Sequence, residues 1–312
     1  MEIITNTTDF FLERETAAAI GKFDGIHIGH RRLIEEILSH RQEGLLTCVF
    51  TFDPAPAVFF GQTDSRELTT RGEKRVFFER MGVDVLIEFP LNRETAAMSP
   101  EAFVTQVLAR QMNVRFLAAG SDLSFGAGGA GDRELLEKLA PGLGFQVKTI
   151  DKVCLEGVQV SSTYVRSRVE EGSMEKAEEL LGMPYPVLGK VVRGNRIGRT
   201  LGFPTVNLLP AESKLLPPRG VYFSGVRYRG RLYRAISNVG YKPTVSSDRI
   251  LGVESYLYDF QENIYGEEIE VYLYSFLRPE RKFDGTEALQ RQLEQDIRAG
   301  REYFARRNVW DM

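Results

Sequence analysis

Short apolar runs separated by amphipathic stretches fill the first half of the chain. Thr16-Ala17-Ala18-Ala19-Ile20, Leu45 to Phe52, Val83 to Phe89 and Phe116 to Gly120 are continuous enough to be strands covered on both faces. Between them, Arg31 to Leu38, Arg71 to Met81 and Pro100 to Met112 read as helices. Alternation of this kind predicts a parallel α/β sheet from Ile20 to about Ile150, with ligands gathering beyond the carboxyl ends of its strands. After Met183-Pro184-Tyr185-Pro186 the pattern changes. Short alternating segments with glycine turns follow, over Val187 to Val192, Gly220 to Tyr228, Leu232 to Val239, Leu251 to Phe260 and Glu268 to Phe276. They predict a small antiparallel barrel. A last helix, from about Thr286 to Arg307, keeps Leu289, Leu293 and Ile297 on one face. The prolines divide the chain into residues 1–183 and 184–312.

Composition narrows the class of protein. A length of 312 residues suits two domains, and 43% hydrophobic with 27% charged residues is ordinary for a soluble globular chain. The formal net charge is -3, and no basic stripe with interleaved aromatics is expected, so neither an extended nucleic-acid surface nor a nucleic-acid partner is expected. Met1 to Phe11 lacks a basic start with an apolar continuation, and no stretch reaches bilayer length; the expectation is a cytoplasmic protein without a membrane partner. Cys48 and Cys154 stand far apart, giving neither a disulfide framework nor a zinc-ligand spacing.

The densest chemistry lies just past the first run, in Gly21-Lys22-Phe23-Asp24-Gly25-Ile26-His27-Ile28-Gly29-His30. This is a strand-to-helix turn, where backbone N–H groups and the positive end of a helix dipole favour an anion. Gly25 and Gly29 allow close backbone approach, and the two imidazoles can donate to phosphate oxygens as charge builds there. The competing reading is a capped helix with two surface histidines.

Other segments add to this. Asp53-Pro54-Ala55-Pro56 follows the second strand and reads first as a turn. Gly120 to Gly126, containing Asp122, follows the fourth. Ser161-Ser162-Thr163-Tyr164-Val165-Arg166 opens a helix, where the hydroxyls act as caps or, with Arg166, as a phosphate grip. In the second half, a glycine-rich basic loop holding Gly189, Lys190, Gly194 and Gly198 is suited to cradling phosphates, though it is no Walker motif. Thr205 and Asn207 project to one side of an extended segment, offering oxygens to a magnesium ion held by nucleotide phosphates, or else a hydrogen-bonded turn. Glu254 shares a strand face with Tyr256, Tyr258 and Phe260. It is either a solvated edge residue or a base for a hydroxyl proton.

The string His27-Ile28-Gly29-His30 resembles the signature of the nucleotidyltransferase superfamily. With the Ser161 to Arg166 string, Gly202-Phe203-Pro204-Thr205-Val206-Asn207, Pro217 to Tyr222, Asn238 to Thr244 and Leu277 to Asp284, nearly the whole chain resembles the prokaryotic bifunctional riboflavin kinase/FMN adenylyltransferase family. The resemblance implies a Rossmann-like nucleotidyltransferase domain followed by a riboflavin kinase-like antiparallel barrel and a C-terminal helix. It implies two magnesium-dependent reactions: riboflavin with ATP gives FMN, and FMN with ATP gives FAD and pyrophosphate. It casts His27 and His30 as stabilisers of the α-phosphate and Ser162, Thr163 and Arg166 as holders of pyrophosphate. Glu254 becomes the base for the ribityl hydroxyl, and Thr205 with Asn207 the seat of the magnesium nucleotide. Gly21, Phe23, Asp24, Gly25, Gly29 and Asp122 complete the first nucleotide site. Partners are small molecules only, with a monomer or weak homo-oligomer expected. Ala55 and Leu123 depart from the family pattern, which commonly has histidine and phenylalanine there. Two alternatives stand beside this: a monofunctional riboflavin kinase with an N-terminal flavin-binding or regulatory domain, and a nucleotidyltransferase for another substrate.

Overall fold

The structure is a computed structural model and describes residues 1–61, 66–194, 198, 201–242 and 250–307. Asn195, Arg196, Ile197, Arg199 and Thr200 of the glycine-rich loop lie outside the described residues, as do Pro243 and Thr244. The chain divides into two compact units, one of Met1–Ser65 with Arg71–Ser161 and one of Arg66–Thr70 with Ser162–Met312.

In the first unit, β1 (Glu2–Thr5), β2 (Thr16–Ile20), β3 (Leu46–Asp53), β4 (Val85–Pro90), β5 (Val114–Gly120) and β6 (Gln146–Ile150) form one sheet. Its order is β1-β4-β3-β2-β5-β6, and every pairing is parallel; a short antiparallel pair, β7 (Cys154–Leu155) and β8 (Val158–Gln159), follows it in the chain. Ala17, Ala18 and Ala19 of the central β2 are fully covered, as a doubly packed strand requires. Helices α1 (Ile28–Ser39), α2 (Pro56–Phe59), α3 (Arg71–Met81), α4 (Arg93–Ala96), α5 (Pro100–Ala102) and α6 (Arg133–Leu143) connect the strands. The helix expected over Pro100 to Met112 is realised as α5 running into a π-helix over Phe103–Gln111. The chain passes from β2 to β3 on one side, while β5 lies on the other. The crevice outside the carboxyl ends of β2 and β5 is therefore the topological switch point.

In the second unit, β9 (Tyr185–Val192), β10 (Thr205–Pro210), β11 (Gly220–Tyr228), β12 (Arg231–Lys242), β13 (Ile250–Leu257) and β14 (Glu268–Pro279) close a barrel in the order β10-β13-β12-β11-β14-β9. The pairings are all antiparallel. Inside it, Ser224, Ser237 and Ser255 form a row of hydroxyls with both Oγ–Oγ distances 2.7 Å, and all three are fully buried. A C-terminal helix, α9 (Thr286–Arg306), packs Ile297 and Phe304 against Ile236 and Tyr258 of the barrel. Two helices that precede the barrel, α7 (Ser162–Glu171) and α8 (Met174–Leu181), belong to this unit, and Glu178 pairs with Arg307. The segment Arg66–Thr70 belongs to it as well. Leu68 is fully buried, and its carbonyl accepts from Lys214 Nζ at 2.7 Å and from the Tyr185 hydroxyl at 3.3 Å.

Two expectations are corrected. Strand β13 stops at Leu257, and Asp259 takes φ 55°, so Phe260 leaves the face of Glu254 and packs on Tyr233 and Tyr228, with ring centroids 4.9 and 6.2 Å away. The β11–β12 hairpin also carries a short basic stretch with interleaved aromatics. Arg229 lies 5.0 Å over Tyr228 and Arg231 4.9 Å over Tyr233, with Arg227 and Arg234 flanking them. Among the described residues no helix is long and apolar enough to cross a membrane.

Candidate active sites

At the switch point, the turn after β2 is tighter than its glycines alone dictate. Gly25 has φ 93°, and Phe23 and Ile26, with φ 49° and 43°, also sit in the left-handed region that side chains disfavour. The compression starts α1 at Ile28, earlier than the Arg31 expected from periodicity. His27 thereby becomes the helix N-cap, with its Nδ1 accepting from the His30 N–H at 3.3 Å. The two imidazoles stack with centroids 3.7 Å apart and an interplanar angle of 11°. Because Nδ1 of His27 is an acceptor, the proton of the neutral ring is on Nε2, which is left to donate.

Burial sets the charge of the pair. It pulls His27 down to about 4, against smaller opposing effects of its own backbone, Asp24 and Asp122. It pulls His30 well below the usual imidazole range, helped by His27 and by the buried Lys74. Both rings are neutral near pH 7, so each has a ring N–H to offer and neither is a fixed cation. Asp122, in the loop after β5, is near enough to favour the charged form of His27 slightly. Asp122 itself pairs with Lys152 at 3.0 Å. Gly29 is tightly placed: a Cβ there would lie 3.2 Å from the His27 ring. At Gly21 it would lie 3.3 Å from the Phe23 ring, which in turn packs on His30 and Phe78 at 5.2 and 5.3 Å.

Beside this turn, Arg71 joins Asp53 at 2.6 Å to Glu88 at 2.7 Å, and Arg75 also holds Glu88. Burial pushes the Glu88 carboxyl up, but Arg75 and Arg71 outweigh it and hold the group below the usual range. Sequence reasoning missed Lys74 and this network. The only signal was charge on the covered face of α3, where Glu73 and Lys74 are as buried as Phe77 and Phe78. Of the two departures from the family pattern, Ala55 caps α2 without a side-chain bond, while Leu123 packs against the core of the sheet.

Ser162 begins α7, with Thr163 exposed one residue on, and Arg166 donates to the Arg66 carbonyl. These three belong to the second unit.

The barrel carries two cavities that share a wall. One, of about 380 Å³, is lined by Phe203, Tyr256, Ile236, Leu289, Leu293 and Ile297, with Glu254 among its polar groups. The other, of about 420 Å³, is lined by Pro204, Leu257, Phe260, Ile264 and Tyr265. Gly194, Thr205 and Asn207 border both. The register places Asn207 opposite Glu254 and Thr205 opposite Tyr256. Thr205 Oγ1 donates to Glu254 Oε1 at 2.6 Å. Gly194 is required here, since a Cβ would lie 2.5 Å from Asn207 Nδ2, and one at Gly198 would lie 2.4 Å from the Phe203 carbonyl oxygen. Gly189 and Lys190 fall instead inside β9, paired with Pro210 and Leu209, and line neither cavity. They belong to the strand expected over Val187 to Val192.

The family profiles and the curated relatives agree on one description. A family profile described as FAD synthetase matches residues 11–164, and one described as riboflavin kinase matches residues 181–304. The chain is 38% identical over 303 residues to a bifunctional riboflavin kinase/FMN adenylyltransferase of Listeria monocytogenes, covering 96% of each. It is 36% identical over 289 residues to the protein of that name from Escherichia coli K12, covering 91% of each. A crystal structure described as a macrolide-efflux protein from Streptococcus pneumoniae superposes with TM-score 0.83 at 30% identity, covering 96% of this chain and 98% of that one. Sheet, barrel and the two matched profiles define a transferase that uses nucleotides at two centres. The chain belongs to the bifunctional riboflavin kinase/FMN adenylyltransferase family. It phosphorylates riboflavin to FMN with ATP and transfers an adenylyl group from ATP to FMN, giving FAD and pyrophosphate. Neither the monofunctional kinase nor a different nucleotidyltransferase accounts for both profiles.

Proposed function

We propose that residues 184–312 carry the kinase step and residues 1–183 the adenylyl transfer, with the roles as follows. The observation that supports the kinase assignment most is the shared wall of Gly194, Thr205 and Asn207 between two cavities, with Glu254 bonded to Thr205 at that wall. The aromatic and aliphatic cavity takes the flavin ring, and the adjoining one takes ATP. Glu254 accepts the proton of the ribityl 5′-hydroxyl as that oxygen attacks the γ-phosphorus, and ADP leaves. Positioning and charge neutralisation do most of the remaining work, as in phosphoryl transfer generally.

Among the described residues no group of three or more His, Cys, Asp or Glu side chains is arranged to hold a metal alone. Thr205, Asn207 and Glu254 do supply hard oxygen donors, which fits a magnesium ion arriving with nucleotide phosphates. Thr205 and Asn207 would hold it, and its chemistry is neutralisation of phosphate charge. In the adenylyl transfer, His27 and His30 donate to the α-phosphate oxygens while the FMN phosphate attacks. Gly21, Phe23, Asp24, Gly25, Gly29 and Asp122 shape that nucleotide site. Ser162, Thr163 and Arg166 take the outgoing pyrophosphate. Gly198 keeps the loop close to Thr205, whereas Gly189 and Lys190 support the nucleotide only through β9.

Neither centre as assigned borrows a residue from a second copy, so a cytoplasmic monomer or weak homo-oligomer suffices. Nucleic acid has no part in this reading. The test follows FMN made from riboflavin and FAD made from supplied FMN in one preparation, with and without magnesium. Loss of each activity by variants confined to its own residue set supports the division. Loss of both activities from either set counts against it.

A further inference from the structure

Two stretches that wall the apolar cavity have no role in this scheme: Arg278 to Arg281 at the end of β14, and Gln292 to Asp296 on α9. The structure joins them. Arg278 donates to Asp296 from Nε at 2.9 and 3.2 Å and from Nη2 at 2.6 Å, gripping both carboxylate oxygens. Gln292 donates from Nε2 to Asp296 Oδ1 at 2.7 Å, and its Oε1 accepts from Arg281. Asp296 is only 3% exposed. A carboxylate so deeply placed is costly unless its lone pairs are satisfied, and here Arg278 and Gln292 satisfy them. Arg278, Arg281 and Asp296 all line the cavity whose wall on α9 is Leu289, Leu293 and Ile297. Gln292 and Asp296, one helical turn apart, sit beside that apolar stripe. The relay thus ties the segment leaving the barrel to the helix facing it across the cavity.

We propose that Asp296 is a positioning residue for the kinase reaction. By gripping Arg278 directly and Arg281 through Gln292, it fixes two guanidinium donors at the polar end of the cavity and holds α9 at the spacing of a planar ring. The isoalloxazine presents carbonyl acceptors along one edge and apolar faces on both sides, which is the chemistry this cavity matches. Asp296 acts on flavin affinity and not on the phosphoryl step. This rests on the assignment of that cavity to riboflavin.

The full-length Asp296→Asn protein decides the matter, with riboflavin and ATP varied separately in FMN formation. The expected result is a rise of about tenfold in KM for riboflavin, with kcat and KM for ATP within about twofold, the signature of lost uniform binding. FAD formation from supplied FMN should be unchanged. Gln292→Leu, which leaves the Arg278–Asp296 pair in place, should shift the riboflavin KM the same way by about threefold, and it decides alone if Asp296→Asn does not fold. An unchanged riboflavin KM in the folded variant overturns the positioning role while leaving the cavity assignment intact. A rise confined to KM for ATP overturns the proposal through the cavity assignment itself. A fall in kcat with both KM values unchanged overturns it too.

Discussion

Thr205 donates its hydroxyl proton to Glu254 across 2.6 Å, from β10 to the neighbouring β13. A hydroxyl has two acceptor lone pairs besides its proton, so the same oxygen can face a cation while orienting the carboxylate. On the proposed roles, one side chain couples the nucleotide's charge to the position of the proton acceptor.

If Glu254 takes the ribityl proton, Glu254→Gln preserves size yet lowers FMN formation about 10²–10⁴-fold, the usual worth of a general base. Adenylylation of supplied FMN stays near wild type, because that attacking phosphate is already ionised. Measuring both products in one preparation checks this, and equal loss in both would point to misfolding.

For the histidine pair, His30→Ala should add about 2.7–4 kcal/mol to the barrier of FAD formation, the loss typical of one preorganised donor. FMN formation should survive. An unaltered FAD rate in the folded variant would reduce the turn to a helix cap.

The neutral histidines also give stability a pH dependence. His27 titrates near 4 when folded and near 6.5 when unfolded, so between those values the unfolded chain binds a proton that the folded one refuses. The stabilisation is complete above about 6.5 and is lost as pH falls toward 4. His27→Asn keeps a side-chain acceptor at the cap but does not titrate. Urea midpoints of the first unit should therefore fall less steeply with acidification in the variant than in wild type. Parallel curves would refute the assignment of this slope to His27.

A fragment from Tyr185 to Met312 should make FMN and no FAD, yet unfold at lower temperature than one starting at Ser162. The longer piece retains Met174, Ala177, Leu180 and Leu181, all buried, and burying each large apolar side chain contributes roughly 1.5–3 kcal/mol. Both lose the Leu68 carbonyl that Lys214 and Tyr185 use. Thermal melts of the two fragments provide the comparison, and identical midpoints would mean that α8 contributes nothing to the barrel unit.

Much of this architecture was legible because burial on both faces leaves continuous apolar runs, as in Ala17 to Ala19. Edge strands escaped. Glu2 and Ile3 of β1 are exposed, and β6 alternates exposed with half-buried positions, so neither carries a strong pattern. The histidine turn was readable from local spacing, since a strand, a turn and a helix are consecutive in sequence. The Thr205–Glu254 bond was not, because it depends on the register of two strands far apart in the chain. Nor was the membership of α7, α8 and Arg66–Thr70 in the second unit, for packing partners leave no mark on an amphipathic helix beyond the existence of its apolar face.

The serine row inside the barrel behaves as a single object. Each hydroxyl carries one proton, so Ser237 cannot donate both bonds of the row and must accept from Ser224, from Ser255 or from both. Removing the middle member takes a partner from two buried neighbours; removing an end member takes one from a single neighbour. Replacing all three together strands none, and a joint change to apolar residues is gentler than its parts. The row thus tolerates change as a block better than piecemeal. Single steps away from it lead downhill, and the barrel's interior can drift only by a route that passes through a less stable intermediate sequence.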